Sequence, residues 1–159
     1  QSEKAEPAFV KFTELLRYMY SNNKLDKTPV KEEINYISKY IDLQLLRINE
    51  HTKVCFTHQE DDPNLEIAPM ILITFIENAF KYGISSHIDS TISILIKVEN
   101  GILSLVTENS IHKIPSQSQN GIGISNCRKR LDLLYSQVYT LDIQKTEKYY
   151  KSTLTIKLK

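Results

Sequence analysis

The sequence predicts an α+β fold, a two-layer α/β sandwich in which helices cover one face of a mixed, mostly antiparallel sheet, preceded by N-terminal helices. Three observations carry this expectation: helical apolar periodicity at the start, one almost wholly apolar helix in the middle, and several strand-like runs around it. Phe9, Phe12, Leu15, Leu16 and Met19 recur at three- and four-residue steps between Ala8 and Tyr20. That spacing makes an amphipathic helix whose stripe needs a partner. After the polar stretch Ser21 to Pro29, a second helix is expected, with Thr28 as its cap and Pro29 at its first position. Its stripe is Ile34, Ile37, Ile41, Leu45 and Ile48, and it should run to about Asn49.

Val54 to Gln59 reads as a strand and Glu60 to Asn64 as a loop. Pro69 should open the next helix, ended by Gly83, a residue that takes left-handed dihedrals freely just past a C-terminus. Ile71, Leu72, Ile73, Phe75, Ile76, Ala79 and Phe80 leave it little polar surface, so it should be buried against the sheet. Thr91 to Val98 and Ile102 to Thr107 flank Asn100-Gly101, the strongest short signal for an antiparallel hairpin. Ile111 to Asn120, with Pro115, is expected to be a loop, Gly121 to Tyr135 a helix, and Tyr139 to Gln144 with Thr153 to Leu158 a closing strand pair.

With 159 residues, the chain fits one ordinary domain with a helical extension: residues 1–50 as the helical segment and 51–159 as the globular part. A net charge of +1 argues against nucleic acid as a partner. No run reaches the roughly 18 to 20 apolar residues of a membrane span, so no membrane contact is expected of this stretch. Cys55 and Cys127 have neither paired nor metal-ligand spacing and read as reduced residues of an intracellular protein. The sequence begins in polar residues without an initiator methionine, which reads as a piece of something longer.

Two segments can carry chemistry. In Ile76-Glu77-Asn78-Ala79-Phe80-Lys81-Tyr82-Gly83, the pairs Glu77/Lys81 and Asn78/Tyr82 stand four residues apart and form a polar edge on an apolar helix. The plain alternative is a Glu-to-Lys surface pair with Asn78 hydrogen-bonded to a nearby loop. In Asn120-Gly121-Ile122-Gly123-Ile124-Ser125-Asn126, a glycine pair enters a helix, where close backbone approach and free amides suit a phosphate. The plain alternative is that the glycines merely bend the chain. The segment matches neither the dinucleotide fingerprint nor the P-loop.

Together these segments resemble the ATP-binding superfamily of histidine kinases, DNA gyrase, Hsp90 and MutL, and within it the LytS-type sensor kinases. Glu77 to Gly83 matches Glu-Asn-Ala-x-Lys-His/Tyr-Gly, and Gly121, Gly123, Asn126, Arg130 and Leu131 match Gly-x-Gly-x-x-Asn-x-x-x-Arg-Leu. Leu15-Leu16-Arg17-Tyr18, Val30, Glu33, Tyr36-Ile37, Tyr40, Gln44 and Arg47 are similar to the helical stretch that follows the family's phospho-acceptor segment.

The resemblance implies a Bergerat-type fold and Mg-ATP binding. Asn78 would be the Mg²⁺ ligand, Lys81 would reach the phosphates, Gly121 and Gly123 would flank the triphosphate, and residues 111–120 would form a lid. Tyr82 and Asn126 belong to the same implied nucleotide set. Glu77 would orient a metal-bound water, polarise the acceptor, or simply pair with Lys81. The family's Asp-x-Gly for adenine is missing from Thr107-Glu108-Asn109-Ser110-Ile111; strand alternation puts Asn109 in the aspartate's place, with Glu108 as runner-up. None of His51, His58, His87 and His112 has the acceptor context and each reads as an exposed loop or strand residue, so the phosphorylated histidine is expected upstream.

The implied protein is a two-component sensor histidine kinase: homodimeric when complete, paired with a cytoplasmic response regulator, and lying on the cytoplasmic side of a membrane-anchored sensor. Two rivals stand beside this reading. One is a nucleotide-free signalling or dimerisation module, and the other a gyrase- or chaperone-type ATPase. Against the latter, Thr74 stands where an acid one turn before Asn78 would activate water.

Overall fold

Residues 2–22, 26–112 and 122–159 are described in a computed structural model of the chain. Helix α1 (Ser2–Asn22) lies against α2 (Val30–Leu45), and between them the two-residue strand β1 (Thr28–Pro29) pairs antiparallel with β3 (Glu66–Ile67). The remaining strands are β2 (Thr52–Glu60), β4 (Ser90–Glu99), β5 (Ile102–Ser110), β6 (Tyr139–Lys145) and β7 (Tyr149–Lys157). They form one five-stranded sheet in the order β2-β4-β5-β7-β6. Only β2 and β4 run parallel, so the sheet is mixed and mostly antiparallel, as the sequence predicts.

Strand alternation decides which face is covered. In β4 the inward residues are Ser90, Ile92, Ile94, Ile96 and Val98, and in β5 they are Leu103, Leu105, Thr107 and Asn109. Helix α3 (Leu72–Gly83) lies on that face, with Phe75, Ile76, Ala79 and Phe80 buried. Helix α4 (Ile122–Leu134) packs on α3 through Cys127 and Leu131, while α2 covers α3 with Ile34, Ile37 and Ile41. Burial of this kind, worth ~25 cal/mol per Å² of apolar surface, is the main force holding the layers together. Phe9, Phe12, Leu16, Met19 and Tyr20 of α1 remain exposed, leaving much of its predicted stripe uncovered.

Several local expectations are corrected. Thr28 makes no cap; Pro29 holds the N-cap position without a side-chain bond, because both residues are taken up in the β1–β3 pair. Helix α2 stops at Leu45 rather than Asn49. Helix α3 begins at Leu72 rather than Pro69, since Met70 adopts φ 66, a left-handed conformation that no helix continues through. Gly83 is the last residue of α3 and does not take a positive φ. It is needed for closeness: a Cβ there would stand 2.7 Å from Ile92 Cγ1 and 2.9 Å from Asn109 Cβ. The hairpin expectation holds in detail, with Asn100 at φ 52 and Gly101 at φ 78, the two left-handed residues of a type I′ turn. Strand β5 runs on to Ser110, so the polar run Thr107 to Ser110 that seems to end it is strand.

Candidate functional site

The site is built where the C-terminal half of α3 crosses the ends of β4 and β5. Because α3 buries one face on the sheet, its remaining residues Glu77, Asn78, Lys81 and Tyr82 lie on the sides away from the core, Asn78 and Tyr82 half-buried and Glu77 and Lys81 exposed. Glu77 and Lys81 line a cleft of about 250 Å³ with Tyr40, Gln44 and Arg47 of the α2 side and Phe80. They form no ion pair with each other among the described residues. Instead the Lys81 ammonium stands 5.3 Å from the centre of the Tyr82 ring. The surface Glu-to-Lys pairing is therefore not what this helix edge forms.

Although Glu77 is exposed along the helix, its carboxyl faces the crevice with α2, and the loss of water there raises its pKa. Its charge is felt by Tyr36 and Tyr40. Both phenols are pushed up to about 12, first by their own burial and then by Glu77.

Asn109 lies across the sheet from this edge. It is 1% exposed, and the Cβ distances at Gly83 put it directly beneath the end of α3. Its Nδ2 donates to the Ser110 carbonyl at 3.1 Å, while its Oδ1 is buried with no partner among the described residues. An orphaned buried acceptor is rare in folded proteins and calls for an explanation. Glu108, the runner-up, points to solvent on the opposite face of β5.

The neighbouring inward pair is Thr107 and Ser152, whose hydroxyls bond at 2.6 Å in complete burial. Sequence reasoning missed both, and the only available signal was their alternation with Leu105 and Leu154. His112 follows β5 and is half-buried rather than exposed, with a buried Nε2 lacking a partner among the described residues. It lines a second cavity of about 400 Å³ with Lys81, Tyr82 and the loop Ile84 to Ile88. His51 is also only half-buried-to-exposed and bonds Asp89 at 3.0 Å, whereas His58 and His87 are exposed as expected.

The glycine segment joins from the other side. A Cβ on Gly123 would meet Thr74 Cγ2 at 3.8 Å, so the start of α4 lies against α3 one turn before Asn78. Cys127 Sγ approaches the Ile71 carbonyl at 3.8 Å, and burial pushes this thiol up to about 11. Asn126 is exposed on α4. Gly121 and residues 113–120 of the expected lid lie outside the described residues.

The two motifs are thus brought together around one helix. Among the described residues no three His, Cys, Asp or Glu side chains converge. A site of amides and one lysine suits Mg²⁺ carried by phosphates, since this ion keeps several waters and takes few protein ligands.

The sequence model of the histidine kinase family matches residues 1–52. In fold and in its matched segment the chain is thus similar to the histidine kinases, and the LytS-type resemblance rests on the motifs alone. Among individual relatives, the sensor protein kinase HptS of Staphylococcus aureus is 29% identical over 116 residues, covering 72% of this chain. The chain spans 22% of the length of that relative.

Solved structures share the fold. The catalytic domain of histidine kinase ThkA, in a nucleotide-free form, aligns with TM-score 0.59 and 16% identity over 83% of this chain and 95% of its own. The kinase domain of a blue-light activated histidine kinase from Erythrobacter litoralis gives 0.60 and 16% over 95% of this chain and 75% of its own. ThkA in complex with its response regulator protein TrrA gives 0.59 and 15% over 95% and 48%. No described helix is long and apolar enough to cross a membrane.

Proposed function

We propose that the chain binds Mg-ATP and serves as the catalytic region of a two-component sensor histidine kinase, passing the γ-phosphoryl group to a histidine upstream of Gln1. The observation that carries the reading is the buried Oδ1 of Asn109, without a partner among the described residues, beneath the end of the helix that bears Asn78. In this reading Asn109 accepts from the adenine amino group, and the Nδ2 bond to Ser110 keeps its oxygen free to do so. Asn78 holds Mg²⁺ through its amide oxygen and Lys81 neutralises phosphate charge. Gly121 and Gly123 let the start of α4 approach the triphosphate, with Tyr82 and Asn126 flanking the nucleotide.

When bound, Mg²⁺ supplies charge neutralisation at the phosphates, which is most of what phosphoryl transfer requires. Glu77, partly stripped of water, would orient a metal-bound water or polarise the acceptor. Residues 1–50 belong to the histidine-bearing dimerisation region and 51–159 form the catalytic domain. The complete protein is a homodimer that hands its phosphoryl group to a cytoplasmic response regulator from the inner side of a membrane.

Calorimetric titration with Mg²⁺ and a non-hydrolysable ATP analogue tests this. Binding is expected for the folded chain, with the Mg²⁺-dependent part abolished in Asn78→Ala. A folded sample that takes up nothing at millimolar ligand refutes it. The exposed apolar residues of α1 favour a second reading, a nucleotide-free pairing module. That module would show a dimer by sedimentation together with an empty titration.

A further inference from the structure

Glu33 is a buried acid that nucleotide chemistry does not use. It is 2% exposed on α2, and both of its oxygens are taken. Oε2 accepts from the Tyr18 hydroxyl of α1 at 2.6 Å, and Oε1 accepts from the Met70 backbone N–H at 2.6 Å. Tyr18 is itself seated by stacking on Tyr36, with ring centres 4.8 Å apart.

Met70 holds a left-handed φ of 66 without being glycine, a conformation that persists only where surroundings over-determine it. Its two predecessors are gripped from α4 and the residue just past it: the Pro69 carbonyl accepts from Arg130 Nη1 at 2.9 Å, and the Ala68 N–H donates to the Tyr135 hydroxyl at 2.8 Å. The short run Ala68-Pro69-Met70 feeds directly into α3, the helix of Asn78. One strained junction is thus held by α1 through Glu33 and, from the other side, by Arg130 of the glycine-entered helix and by Tyr135 just past its end.

We infer that Glu33 is a clasp through which the position of α1 and the seating of the α3–α4 site determine one another. Withdrawal of Tyr18 leaves the Glu33 carboxylate short of a donor in a buried place, weakens its hold on Met70, and lets the junction relax so that α3 and α4 shift. By reciprocity, a ligand that fixes α3 and α4 tightens the junction and steadies α1. Glu33 touches no nucleotide in this scheme and acts as a positioning residue; the nucleotide half of the inference rests on the Mg-ATP reading.

Hydrogen–deuterium exchange on the whole chain tests it, with Tyr18→Phe removing one hydroxyl and little volume. The variant should raise exchange at amides 70–76 about fivefold while leaving β4 and β5 unchanged. Unchanged exchange at 70–76, or an equal rise throughout the chain, overturns the clasp. With Mg²⁺ and a non-hydrolysable ATP analogue, the wild-type chain should gain protection over residues 14–22 and Tyr18→Phe should not. Persistence of that protection in the variant also overturns it. If the wild-type chain takes no nucleotide, the Mg-ATP reading falls, and the first comparison alone decides the clasp.

Discussion

At the scale of single residues, the site turns on a substitution of type rather than of place. Asn109 occupies an inward strand position and brings a neutral acceptor whose other amide atom is already engaged; in the proposed reading it serves where the family has an acid. Because Oδ1 has no partner among the described residues, replacing Asn109 with Leu removes an unmet acceptor, and the fold should tolerate the change. Nucleotide affinity should fall about tenfold, ~1.4 kcal/mol, read by titration beside a thermal melt. Equal affinity would remove Asn109 from the site. The strand position was legible from alternation alone, since Leu103, Leu105 and Asn109 share a face. The partnerless oxygen was not, because satisfaction depends on neighbours far away in sequence. Glu33 was equally hidden: a glutamate beside Glu32 on a helix reads as solvated, and only the approach of Tyr18 and Met70 makes it a buried hub.

At the scale of elements, long periodic segments were readable and short or strained ones were not. The stripe of α2 and the wholly apolar α3 follow from spacing, and Asn100-Gly101 prescribes the hairpin turn. Strands β1 and β3 have two residues each, too few to show a period. The start of α3 was displaced by a backbone conformation at Met70 that its side chain does not advertise. The hairpin makes a sharp prediction. Gly101 sits at φ +78 with Lys159 Cβ and O each 3.1 Å from the place of a Cβ. Gly101→Ala should therefore cost ~1–2 kcal/mol, seen as a lower urea midpoint with an unchanged slope. An unshifted midpoint would mean that the turn relaxes freely.

For the whole molecule, acids stripped of water set a pH dependence. Burial raises the Glu33 carboxyl above its ordinary 4.5, against the pull of its hydrogen bonds and Arg130, and desolvation raises Glu77 as well. The folded state then binds more protons than the unfolded one, so this contribution is fully present below pH 4.5 and is lost as pH climbs through the raised values. Glu33→Gln keeps an acceptor for Met70 and removes the titration. The wild-type chain should lose stability relative to Glu33→Gln as pH rises above 4.5, measured as urea midpoints for both. Parallel midpoints would show that Glu33 ionises in the fold as easily as in water.

The one parallel pair in the sheet, β2 with β4, bears on how the chain assembles. Antiparallel neighbours β4 and β5 meet across a two-residue turn and can zip together early, as can β6 and β7 across a three-residue one. Strand β2 has no such shortcut. It can dock only after α3 has crossed the sheet and returned the chain to β4, a closure that demands long-range order first. The edge strand is therefore a late arrival in folding and an early departure in unfolding, and α1 and α2, which precede it in the chain, depend on the sheet being finished before their own packing is complete.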